Sequence, residues 1–459
     1  MKRWILYVGP LVALCLGYGL FRAGWSSDVA WTAAITALTA SWWVLEPIPI
    51  PATSLIPIAV LPLVGVLDSK QVGAAYGNKL ILLLLGGFIL SSAMARSGAH
   101  RRIALKMVAL FGGSSGRSLV FGFMAASAVL SMWISNSATV LMLLPIVAAV
   151  LEKVTDTRLR TALLLGVAYA ASVGGVGTPV GTPPNLVFFE NYQLITGLEP
   201  TFVQWMQWTL PVIVIMVPIT GLWLTRGLQP QEPIDMPDPG SWRPEEVRTL
   251  VVFAITALLW ITRTSPFGGW STLAHLPAAS DASVALLAVV AMFLIPNGKG
   301  ERLLDWETAV KIPWGILLLF SAGLVIAAAF KSSGLSDALG SSLTGIGHLP
   351  TVVLIAIVCL AITFMTEVTS NTATITLLLP ILGAAALSVG IEPKIIMIPA
   401  TISASFAFML PTATGPNAVV FGTEQLKVSD MAREGLALNL IGVVVVTAIC
   451  YFMFGTAAP

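Results

Sequence analysis

Ser131, the tripeptide Ser135-Asn136-Ser137 and Pro145 recur 235 residues later as Thr366, Ser370-Asn371-Thr372 and Pro380. At the same offset Ile81 to Leu85 aligns with Ile316 to Phe320, and Arg96-Ser97 with Lys331-Ser332. Downstream, Gly181-Thr182-Pro183-Pro184-Asn185 meets Thr414-Gly415-Pro416-Asn417 after a gap of three. Matches in one register over this distance make the chain two homologous halves. Whatever one half folds into, the other must fold into as well.

The setting of the repeat is apolar. The 459 residues are 56% hydrophobic and 10% charged, against roughly 25% charged in soluble domains, so the bilayer is the natural solvent. Apolar spans fall near 4–21, 28–46, 53–67, 79–96, 160–174, 204–226, 249–264, 282–296, 312–331, 395–410 and 433–455. The runs 118–150 and 350–388 exceed the roughly 20 residues of one crossing and are too short for two. Each therefore predicts a re-entrant hairpin with its polar tip inside the membrane. The first span is read as a retained helix, because no small-residue cleavage pattern follows it, and the interval Gly227 to Arg248 as a loop.

These readings give an all-α polytopic membrane protein with about eleven full crossings. It divides into N-terminal scaffold helices (1–78), a first repeat core (79–226, hairpin 118–150, broken helix 160–190) and a linker with scaffold helices (227–311). The second repeat core follows (312–459, hairpin 350–388, broken helix 395–425, last helix 433–455). With a cytoplasmic amino terminus, all but Arg22, Lys70, Lys79, Arg263, Lys331 and Lys394 of the 24 lysines and arginines fall inside. The two halves then have opposite topology, and the carboxyl terminus lies outside.

A net charge of +2 without a basic run argues against a nucleic-acid partner. Cys15, Cys359 and Cys450 lie in separate apolar segments and suggest neither disulfide nor metal cluster. His100, His275 and His348 fall in expected loops without ligand spacing, and the 14 tryptophans serve as interface anchors and packing. No metal triad, nucleophile elbow or nucleotide loop appears, so an enzyme is the least favoured class.

Chemistry concentrates at the tips. Hydroxyls, asparagine carbonyls and freed backbone carbonyls are hard oxygen donors suited to sodium, while amide and hydroxyl hydrogens suit a carboxylate. The segments 174–185 and 411–417 are too rich in glycine and proline to stay helical and follow apolar helices directly. Paired interruptions of this kind point to a transporter site. Glu367, three residues before Ser370, is the one acid near a tip; it either functions there or braces the hairpin.

On these motifs the whole chain resembles the divalent anion/sodium symporter family of dicarboxylate, citrate and sulfate carriers. The resemblance implies a bacterial inner-membrane homodimer in lipid, in which a transport domain slides as an elevator against a scaffold. It implies one sodium among Ser131, Ser135, Asn136 and the backbone at Gly181, and a second among Thr366, Asn371 and the backbone at Ala413. Ser135, Asn136, Ser137, Thr182, Ser370, Asn371, Thr372, Thr414 and Gly415 would hold the substrate. Ser137 stands where the family usually has threonine, and Gly415 where many members have proline. The reading is sodium-coupled import of succinate, fumarate or malate, with Na+ the only accessory ion. The alternatives are a sodium/sulfate or citrate symporter, a sodium-independent exchanger and, last among these, an anion channel.

Overall fold

The computed structural model describes residues 2–111, 115–152, 154, 156–228, 240–265, 268–336, 338 and 349–455; Lys153 and His348 lie outside them. The described residues form helices joined by turns and irregular segments, with one isolated bridge, between Pro296 and Arg302. Among the described residues six helices are long and apolar enough to cross a membrane, and shorter apolar helices of 10–17 residues accompany them. His100 lies in a helix, Ala99–Leu110, where a loop was expected, and the loop after Gly227 gives way to a helix at Pro244.

The hairpins keep the 235-residue offset at every helix end but the last, where the second returning arm runs two residues longer. The first has a leading arm Gly116–Ser131 and a returning arm Asn136–Leu151; the second has Thr351–Thr366 and Asn371–Ser388. A 16-residue arm is about 24 Å long, short of the roughly 30 Å hydrocarbon thickness. Such an arm ends inside the layer, where a four-residue tip must satisfy its own backbone. Ser115 starts the first hairpin with a capping box, whereas the second begins after Pro350.

The broken helices follow in the same order. Thr157–Gly175 stops, residues 176–182 run without helix, and Pro183–Thr196 resumes; Lys394–Ala404 stops, 405–414 intervene, and Gly415–Phe421 resumes. Proline at the first turn starts a helix without losing a bond, since that N–H has no partner there anyway.

Packing crosses between the halves. Each leading arm lies on the first segment of its own broken helix. Each returning arm also packs on the resumed segment of the other half: Asn136–Leu151 on Gly415–Phe421, and Asn371–Ser388 on Pro183–Thr196. The helices Ile50–Leu63 and Ser69–Tyr76 pack against Trp314–Ser333, while Asp281–Leu294 and Trp306–Ala309 pack against Lys79–Ser97. The repeat therefore reaches upstream of residue 79. The signal for it was short: Asp68 and Asp305 each cap a brief helix just before the first long helix of their half.

Candidate functional site

The crossed packing brings the two tips and the two breaks around one cavity of about 500 Å³. Its wall includes Ser135, Asn136, Ser137, Gly181 and Thr182 from the first half, and Ser370, Asn371, Thr372, Ala413, Thr414 and Gly415 from the second. Of the residues expected to hold sodium or substrate, only Ser131 and Thr366 are absent from the wall. Both are fully buried one turn behind their tips.

In the first half Ser131 Oγ donates to Asn136 Oδ1 at 2.8 Å. Asn136 opens the returning arm, and Ser135 holds the cap position without using its hydroxyl as a cap. The break is pressed against them. A Cβ on Gly181 would fall well inside 3.0 Å of the Gly175 carbonyl oxygen and reach those of Ser131 and Met132 at 3.0 Å. A Cβ on Gly175 would collide with Asn136 Oδ1. Only glycine lets these oxygens converge on the backbone. Thr178 Oγ1 donates to the Met132 carbonyl, tying break to tip.

In the second half Asn371 opens the returning arm, and its Oδ1 is buried without a hydrogen-bond partner. Thr366 donates within its own helix, toward the Ile362 and Thr363 carbonyls at 3.0 Å. Ser370 and Thr414 accept from Ala373 N and Asn417 N as helix caps. Those two hydroxyls keep their hydrogens to donate, but one lone pair of each is in use.

Two asparagines staple the breaks identically. Asn185 Nδ2 donates to the Gly175 and Thr178 carbonyls at 3.0 and 2.7 Å, and Asn417 Nδ2 to those of Ala407 and Leu410 at 3.1 and 3.0 Å. In both pairs the acceptors precede the asparagine by ten and seven residues. Each Oδ1 is buried and unpaired.

Glu367 resolves the alternative left by the sequence in favour of a brace. Its carboxylate accepts from Met409 N at 2.9 Å, Leu410 N at 3.0 Å and Asn439 Nδ2 at 2.7 Å, and it does not line the cavity. Asn439 Oδ1 in turn accepts from Phe408 N, and Tyr169 donates its hydroxyl to the Phe408 carbonyl at 2.7 Å. Buried side chains thus hold the backbone of 407–410 at the N–H groups of Phe408, Met409 and Leu410 and at the Phe408 carbonyl. The first tip is held by aromatic contact: Trp133 stacks at 6.1 and 6.4 Å on Phe202 and Trp260.

The described wall of the cavity contains no lysine, arginine or histidine, and one charged residue, Glu46. Sequence reasoning missed Glu46, Phe88, Pro313, Ile316, Val368, Thr369 and Thr412 as wall residues. Val368 and Thr369 belong to the second tip and Thr412 to the second break; the others reach the cavity only through the tertiary fold. The site can offer hydroxyls, amides and carbonyls to a cation, and amide, hydroxyl and backbone N–H groups to an anion. It has no cation of its own with which to neutralise an anion.

The family described as sodium:sulfate symporter transmembrane region matches residues 6–456. The chain is 36% identical over 479 residues to the sodium-dependent dicarboxylate transporter SdcS of Staphylococcus saprophyticus, covering 97% of this chain and 92% of that protein. It is 35% identical over 485 residues to SdcS of Staphylococcus aureus strain USA300, covering 98% and 92%. In fold it is similar to the YdaH transporter of Alcanivorax borkumensis and to MtrF of Neisseria gonorrhoeae. Each has a TM-score of 0.60 at 16% identity, covering 92% of this chain and 98% of the other.

Proposed function

The chain belongs to the sodium:sulfate symporter family, and on that premise we propose that it imports C4-dicarboxylates such as succinate, fumarate and malate, coupled to sodium. The relatives that match over nearly their whole length are named sodium-dependent dicarboxylate transporters, which supports both halves of the reading. The observation that carries it is the cavity without a basic residue. A dianion taken from water into such a site faces a desolvation penalty that neutral donors alone do not offset. Sodium is the positive charge the chain itself does not supply.

The oxygen-rich backbone at Gly181, with Ser131, Ser135 and Asn136, suits one sodium; the unpaired Oδ1 of Asn371, with Thr366 and the backbone at Ala413, suits the other. Asn136 and Asn371 each have a carbonyl for the cation and an amide for the anion, so the ions share residues and bind interdependently. Ser135, Ser137, Thr182, Ser370, Thr372 and Thr414 add hydroxyls toward the carboxylates. Sodium binds first and aligns the tips, and the loaded pair of half-sites then slides across the membrane of a homodimer as an elevator. Glu46, after Ser27–Leu45, and Pro313, before Trp314–Ser333, are exposed residues of the cavity wall. With the amino terminus inside, both points are cytoplasmic, so this is an inward-facing state.

A proteoliposome uptake panel of succinate, citrate and sulfate, with sodium or choline outside, tests the assignment. Sodium-dependent, saturable succinate accumulation that sulfate does not outcompete supports it. Equal uptake in choline refutes coupling, and preferential uptake of sulfate moves the chain to the sulfate carriers.

A further inference from the structure

Glu46 sits where an anion site has least use for an acid. It is the one charged residue in the described wall, and its side chain makes no hydrogen bond or ion pair among the described residues. Its backbone is left-handed, with φ 46, although a proline follows. Helix C-terminal positions of that kind are ordinarily glycine, and a side chain there is strained unless its surroundings fix it.

The surroundings do fix it. Glu46 N–H donates to the Trp42 carbonyl at 3.0 Å. Trp43 Nε1 donates to Ser54 Oγ at 3.1 Å, across the turn containing Pro47, Pro49 and Pro51. Pro51 lies so close to Gly315 that a Cβ there would overlap its ring. A rigid turn thus carries the carboxylate to the mouth of the cavity. It belongs to neither hairpin and neither broken helix, so it faces the substrate only when the tips are docked as they are here.

We infer that Glu46 is a release residue: its negative charge lowers the affinity for the dianion from the mouth side alone and makes the two facing states unequal. This rests on the dicarboxylate reading above. Like charges repel at short range across a partly wet cavity, and the same field draws sodium toward the site. The anion is then held least firmly in the state from which it leaves.

The test is the Km for succinate at each face, taken in right-side-out and inside-out vesicles at saturating sodium, for the wild type, Glu46→Gln, Glu46→Gly and Glu46→Asp. Glycine suits the left-handed backbone, so Glu46→Gly folds even if Glu46→Gln does not. Both neutral variants should lower the Km at one face, the cytoplasmic one, by on the order of tenfold, leave the other face unchanged, and remove its dependence on ionic strength. Glu46→Asp should keep the wild-type asymmetry. If the wild type transports succinate with sodium but the neutral variants leave both Km values unmoved, the role of Glu46 is overturned and the transport reading stands. If the wild type shows no sodium-dependent succinate transport, both fall.

Discussion

Ser137, on the first tip, and Gly415, where the second broken helix resumes, approach so closely that a Cβ on residue 415 would lie well inside 3.0 Å of Ser137 Oγ. The two positions belong to different halves. They are also where the halves differ: Ser137 corresponds to Thr372, and Gly415 to Pro183. The smaller pair meets across the cavity, and each residue sets the space open to the other.

Gly415→Ala should therefore push Ser137 aside. Overpacking of a close contact costs about 1–3 kcal/mol, which at the site corresponds to roughly a 5- to 150-fold rise in the Km for succinate. Ser137→Gly removes the clashing hydroxyl, so adding Gly415→Ala to it should raise the Km no further than Ser137→Gly does alone. Uptake kinetics of the two single variants and the double variant check this; equal Km values in Gly415→Ala and wild type would show that the contact is slack.

Asn136→Ala and Asn371→Ala should each raise the sodium concentration for half-maximal uptake and the Km for succinate together, by at least about tenfold. Loss of one without the other would separate the ion and anion roles assigned to these side chains. The first variant also deprives Ser131 of its acceptor, while the second removes an oxygen that is unpaired in the fold. Thermal unfolding should fall in Asn136→Ala and hold nearly steady in Asn371→Ala.

The staples give a stability prediction independent of transport. Asn185→Ala and Asn417→Ala each strip two buried carbonyls of their donor, at about 1–3 kcal/mol apiece. Melting in detergent should drop by similar amounts in the two variants, because the geometry is the same in both halves.

Glu367→Ala should be more damaging than Glu367→Gln. Alanine leaves Met409 N, Leu410 N and Asn439 Nδ2 without an acceptor, whereas glutamine retains one oxygen for them. Bonds to a charged group contribute about 1.5–3 kcal/mol each, so the alanine variant is expected to be retained poorly in membranes. Expression and melting of the two variants distinguish a brace from a group needed only for transport, which would leave stability unchanged.

Much of this was legible because the repeat is written in polar residues on an apolar background. Ser135, Asn136, Ser370 and Asn371 fall on tips, and Gly181 and Thr414 on breaks, by their sequence alone, since hydroxyls and helix breakers in such segments need a reason. Glu46 was not legible: it lies outside the matched segments, in a proline-rich turn that reads as a connection. Nor was the arrangement that holds Glu367, whose partners stand 42 to 72 residues away in sequence. The crossed packing of returning arms on the opposite broken helices depends on which apolar faces meet, and periodicity cannot choose among equally apolar helices. Ser137 and Gly415 could each be noticed as unusual, but only the fold puts one against the other.

On the proposed function, sodium supplies the charge that the described cavity wall lacks. Equilibrium binding of radiolabelled succinate to the purified protein, titrated with sodium at constant ionic strength in choline, tests it without any membrane or gradient. No measurable binding is expected in choline, and binding should rise steeply with sodium, with the rise abolished in Asn136→Ala and Asn371→Ala. Undiminished succinate binding in choline would contradict this role of sodium.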